Sequence, residues 1–107
     1  SANEARQTMR SPMGAKEPVE LARFLLARSG RDWKTAVKLI NAMENVDAET
    51  VRIIVVNYIA GALAKTTNDR EAREHLRILE CFERSYNTSD KAAPLFLSVG
   101  LALGLNQ

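Results

Sequence analysis

The stretch Val46-Asp47-Ala48-Glu49-Thr50-Val51-Arg52-Ile53-Ile54-Val55-Val56-Asn57-Tyr58-Ile59-Ala60-Gly61-Ala62-Leu63-Ala64-Lys65 decides the fold of this 107-residue chain. Its centre, Val51 to Val56, is β-branched apart from Arg52 and by propensity alone passes for a strand. The flanks make it a helix. Asp47 stands where an N-cap carboxylate accepts a backbone amide hydrogen, and Glu49 lies in the first turn, near the positive end of the helix dipole. The Ala-rich continuation to Lys65 carries the pattern past strand length, with Val51, Ile54, Val55, Tyr58, Ile59, Ala62 and Leu63 recurring at helical spacing.

The same reading extends outward on both sides. Asp32 can cap a helix over about Trp33 to Glu44, in which Trp33, Ala36, Val37, Ile40 and Met43 form a stripe. Before it, Pro18 suits a first helical turn and Gly30 suits a left-handed C-cap, which predicts a helix from Pro18 to Ser29. Downstream, Asn68 followed by Glu71 has the form of a capping box. It opens a helix whose stripe is Ala72, Leu76, Leu79, Phe82 and Tyr86, with Glu80 and Arg84 in the favourable i, i+4 order. Asn87 to Asp90 is a turn, and Ser89 or Asp90 can cap a fifth helix from Lys91 to about Leu103, with Pro94 tolerated near its start. The expectation is an all-α, compact five-helix bundle over residues 18–107, preceded by a flexible tail or linker over 1–17. Its core is predicted as Trp33, Val37, Ile40, Val55, Tyr58, Ile59, Leu76, Leu79, Phe82, Leu95 and Val99.

Composition agrees with one soluble globular domain: 46% hydrophobic and 26% charged residues, with five Gly, three Pro and few aromatics, argue against sandwiches, barrels and disorder. One Cys excludes an internal disulfide, and one His excludes a zinc site built on Cys and His, which takes four ligands. The uncharged run Ala92 to Gln107 is too short and too interrupted for the roughly 20 apolar residues of a membrane span. Net charge is only +2, but it is uneven: residues 18–43 carry five basic against two acidic side chains, and residues 44–107 carry seven against nine.

Catalytic chemistry finds little to work with. No Gly-Lys-Ser or Gly-Lys-Thr is present, so the chain lacks the phosphate-binding loop of a nucleotide hydrolase, and no cofactor is expected. His75 sits among Arg73, Glu74 and Arg77 and reads as solvated; Cys81 adjoins the apolar stripe and reads as a small buried hydrophobe. The carboxylate pairs Glu71 with Glu74 and Glu80 with Glu83 alternate with Arg, which is the pattern of a salt-bridged surface. One constellation has the chemistry to touch phosphates, the basic set Arg23, Arg28, Arg31, Lys34 and Lys38 around Trp33. Within it Arg28, Arg31 and Lys34 are the candidate contacts. A helix-turn-helix reading of the second and third helices is weaker, because Ala48, Glu49, Thr50 and Val51 offer few donors for bases. The last helix is apolar nearly all round, so Leu97, Leu101 and Leu105 are candidates for a subunit interface.

Taken together, Arg31-Asp32-Trp33-Lys34-Thr35-Ala36, Val46-Asp47-Ala48-Glu49 with Arg52 and Tyr58, Leu76-Arg77-Ile78-Leu79-Glu80-Cys81-Phe82 and Ala92-Ala93-Pro94-Leu95-Phe96-Leu97 give a pattern that resembles the C-terminal collar domain of clamp-loader ATPases, in particular the tailed-phage large subunit. The resemblance spans residues 18–104. It implies an oligomerisation domain that holds subunits in a ring during DNA replication, with the phosphate-binding and lid domains upstream of Ser1 and no catalytic residue in this chain. It implies other clamp-loader subunits or further copies as partners, contact with DNA and the sliding clamp only through the parent protein, no membrane, and a cytoplasmic location, that of the host if phage-encoded. A stand-alone helical adaptor and a weak DNA-binding module are the alternatives.

Overall fold

The computed structural model describes residues 16–43, 45–87 and 92–106. Among these residues five helices and no strands are present: α1 over 16–26, α2 Trp33–Asn41, α3 Ala48–Lys65, α4 Asp69–Cys81 and α5 Ala93–Ala102. The chain is therefore all-α, as expected. No helix among the described residues is long and apolar enough to cross a membrane.

The starts of α3 and α4 follow the sequence closely. Asp47 accepts the Thr50 backbone N–H at 3.1 Å, and Asn68 Oδ1 accepts that of Glu71 at 3.0 Å. The reciprocal half of the capping box is redirected, because the Glu71 carboxylate takes the Thr66 hydroxyl hydrogen at 2.5 Å instead. Asp32 has the extended backbone of an N-cap, but its side chain makes no cap hydrogen bond. Pro94 falls in the first turn of α5, where its missing N–H costs nothing. Ser89 and Asp90 lie outside the described residues, as does most of the expected tail; Lys16 and Glu17 are already helical.

Three helix ends come earlier than predicted. The helix α2 stops at Asn41, and α4 stops at Cys81, so Arg84 leaves the helix and the expected Glu80–Arg84 pairing across one turn does not form. At α1 the helix ends at 26, and Gly30, although it has φ +78°, is too far on to be its cap. Arg31 caps α1 from outside, donating Nη1–H to the Leu25 carbonyl at 3.0 Å.

The core joins Leu21, Ala22 and Leu25 of α1, Ala36 and Ile40 of α2, Met43, Val51, Val55 and Ile59 of α3, Ile78 of α4, Phe82, and Leu95, Val99 and Ala102 of α5. Of the predicted core, Ile40, Val55, Ile59, Phe82, Leu95 and Val99 are buried, and Val37, Tyr58 and Leu79 are partly covered. Two members are exposed. Trp33 is the first residue of α2, so the line Ala36, Ile40, Met43 reaches the centre and Trp33 is left at the rim. Leu76 points outward because α4 is rotated from the predicted stripe: His75, Ile78 and Phe82, at i, i+3 and i+7, take the inner line. The same rotation buries His75, contrary to the solvated reading.

This rotation has a measurable consequence. Ile78→Ala should cost about 2–5 kcal/mol in urea denaturation, whereas Leu76→Ala should stay within about 0.5 kcal/mol of wild type. A larger cost at Leu76 than at Ile78 would mean that α4 faces the core as the sequence stripe suggested.

Candidate self-association surface

The helix α5 contains no charged residue, and its two sides have different fates. Leu95, Ser98, Val99 and Ala102 are buried, while Leu97 is 63% exposed and Leu105, just beyond the helix, is 57% exposed. Leu101 is half-buried between them. The three leucines proposed from sequence thus line one side with Trp33, Phe96 and Gly100, forming a shallow apolar groove.

Each member of the groove has a local reason for its place. Trp33 leans across α5 with its ring 5.9 Å from that of Phe96 at 50°, a tilted aromatic pair. Trp33 packs beside Gly100, where a Cβ would lie 3.8 Å from Trp33 Cζ3, at ordinary contact distance. Leu105 is delivered by the way α5 ends. Gly104 adopts φ +78°, the Leu105 N–H bonds to the Gly100 carbonyl and the Gly104 N–H to the Leu101 carbonyl, both at 3.0 Å. That is a Schellman stop, and its left-handed glycine turns the following side chain back beside the last turn of the helix.

Two arginines hold α5 from neighbouring helices. At its C-terminal end Arg77 of α4 donates Nη2–H to the Ala102 carbonyl at 2.8 Å and Nη1–H to that of Leu101 at 3.4 Å. The same guanidinium grips Glu74 at 2.8 Å, and this contact, with Arg31 3.6 Å away, holds the Glu74 carboxyl below its ordinary range. At its middle, on Ser98, the link runs through side chains from α3. Arg52 forms a two-point pair with Glu49, at 2.8 and 2.6 Å, and donates to the Phe82 carbonyl at 2.9 Å, while its guanidinium lies 5.9 Å from the Tyr86 ring centroid. Glu49 in turn accepts the Tyr86 N–H at 2.9 Å, and the Tyr86 hydroxyl donates to the buried Ser98 of α5 at 2.8 Å. Burial pushes the Tyr86 phenol pKa upward.

The other candidates are dispersed. Arg28 and Lys34 are exposed, as are Arg23 and Lys38, but Arg31 is committed to Leu25 and Glu74. Glu74 pairs with Arg77, in keeping with a salt-bridged surface, whereas Glu71 takes the Thr66 hydroxyl hydrogen and Glu80 and Glu83 form no ion pair among the described residues. Cys81 is half-buried, donates to the Arg77 carbonyl at 3.4 Å, and has its thiol pKa raised by burial. Among the described residues no group of three or more His, Cys, Asp or Glu side chains is placed to hold a metal ion. The sequence offered no signal for Arg77 as the clasp of α5; only its position three residues after Glu74 hinted at a pair.

The Glu49–Arg52 pair makes a pH prediction. Hydrogen bonds from Arg52 and then from the Tyr86 amide lower the Glu49 pKa from an ordinary 4.5 to about 2. A depressed carboxylate stabilises the fold above its unfolded pKa and loses that contribution as the proton returns. The stability gap between wild type and Glu49→Gln should therefore be full at pH 6 and close as pH falls from 4.5 toward 2, followed by urea denaturation at each pH. A gap independent of pH would mean that the carboxylate charge plays no part. Comparison with protein families, with curated proteins and with solved structures finds no match to this chain.

Proposed function

We propose that the chain is a non-catalytic oligomerisation domain that joins subunits into a ring, as the collar of a DNA-replication clamp loader does. The observation that carries this reading is the outer side of α5: Leu97, Leu105, Leu101, Phe96 and Trp33 form a continuous apolar groove without a charged member. A monomeric domain seldom leaves such a surface in water, and the fold holds it there through Arg77 and Tyr86. Ala93, exposed one turn before Leu97, adds little bulk at the start of this side. The resemblance to the clamp-loader collar supplies the ring and the replication context.

A ring needs unlike faces of adjacent copies to meet, whereas a two-fold dimer pairs one face with itself. Sedimentation velocity of the purified chain should therefore show species that grow with concentration beyond a dimer. Leu97→Glu, at an exposed position, should shift them toward monomer while far-UV circular dichroism stays unchanged. Monomer alone at high concentration would overturn self-association through α5. A closed dimer would favour a stand-alone adaptor over a collar.

A further inference from the structure

Away from the α5 groove, the end of α1 meets the first two turns of α4 around a second pocket of about 350 Å³, with Arg28, Arg31, Arg70, Glu71, Glu74 and His75 in its wall. This volume is at the lower end of the roughly 300–1,000 Å³ typical of small-molecule sites. Its two carboxylates are already provided for. Glu74 takes hydrogen bonds from Arg77 and lies 3.6 Å from Arg31; Glu71 takes the Thr66 hydroxyl hydrogen and reaches Arg28 only at 4.0 Å. The cations are in excess. The Arg28 side chain is 92% exposed, and Arg70 makes no hydrogen bond or ion pair among the described residues.

An independent observation concerns His75, which is only 8% exposed. Its Nδ1 is buried and has no hydrogen-bond partner among the described residues, an unfavourable state for a polar nitrogen. His75 is also one of the residues that line the pocket, so an anion bound there lies beside this imidazole, and a small shift of the ring would offer Nδ1–H the acceptor it lacks.

We propose that the pocket binds a small tetrahedral oxyanion, either inorganic phosphate or the terminal group of a phosphomonoester. Arginine forks suit such an anion, because planar pairs of N–H donors from several directions engage different oxygens of one tetrahedral centre, whereas a lone carboxylate is satisfied by a single fork. An extended nucleic-acid backbone fits less well. Lys34 and Lys38 lie outside the pocket, so no continuous basic track leads through it. The site therefore keeps Arg28 and Arg31 of the sequence-derived set, replaces Lys34 with Arg70, and adds His75.

Because His75 is the only histidine in the chain, its imidazole proton resonances report on the site without ambiguity. Inorganic phosphate, and separately a nucleoside 5′-monophosphate, would be titrated into the full chain at fixed pH and ionic strength, with chloride as the reference anion. The expected result is a saturable shift of the His75 resonances with at least one of the two. Arg70→Gln and Arg28→Gln should each weaken it by about tenfold or more, with helicity retained, while Lys34→Gln leaves it unchanged. The proposal is overturned if neither ligand gives a saturable shift, or if the shift survives both arginine replacements. It is also overturned if only a single-stranded oligonucleotide produces the shift, which would mark a nucleic-acid surface instead. None of these outcomes depends on oligomerisation through α5, whose groove shares no residue with this pocket.

Discussion

The bond from Arg77 to the last carbonyls of α5 is the contact on which the arrangement of the molecule turns. An uncharged helix with leucines on most sides carries no polar pattern of its own to choose which side faces inward. Hydrophobic burial alone is satisfied by several rotations, since it is non-directional. Arg77 removes that freedom at one end, and the path from Arg52 and Glu49 through Tyr86 to Ser98 removes it at the middle. The inner line of α5 is then fixed, and the outer leucines follow by default. The polar groups that set this orientation lie largely on α3, on α4 and in the segment after α4, which is why α5 itself reads as featureless.

The same arginine links α5 to the start of the bundle. Glu74 accepts from Arg77 and lies within ion-pair distance of Arg31, and Arg31 completes the hydrogen bonding at the end of α1. A single carboxylate thus connects the closing turns of the first and last described helices. Exposed ion pairs generally contribute little, but guanidiniums that also serve helix-end carbonyls act on groups that would otherwise lack partners. This accounts for the use of arginine at both positions, since lysine has one charged centre and no planar fork with which to serve a carboxylate and a carbonyl together.

Much of the helical layout was legible because its signals are local. Asp47 and Asn68 each cap a helix with a side chain three residues from the amide they serve, and the long period of α3 outweighed its β-branched centre. What escaped depends on contacts distant in sequence. The charged neighbours of His75 suggested a solvated face, yet α4 turns that position inward against the end of α1. Trp33, a large apolar residue at the head of a stripe, suggested an anchor in the core, but a first-turn position ends at the rim. Gly30 carried the right conformation for a helix stop but stands too far from α1, and the residue that caps that helix is its neighbour Arg31. Of the surface on α5, the three leucines could be named from the sequence. The Schellman turn that presents Leu105 could not be separated there from an ordinary Gly near a helix end.

The position of Trp33 gives the molecule an optical property. It is the only tryptophan in the chain, it is 38% exposed, and it stands on the rim of the α5 groove against Phe96. Indole emission depends on the polarity around the ring, so the intrinsic fluorescence of this domain reads the wetness of that groove rather than of the core. Loss of tertiary structure elsewhere would leave the spectrum nearly still until α2 parts from α5. Drying of the rim would move the emission to shorter wavelength while every helix remains in place.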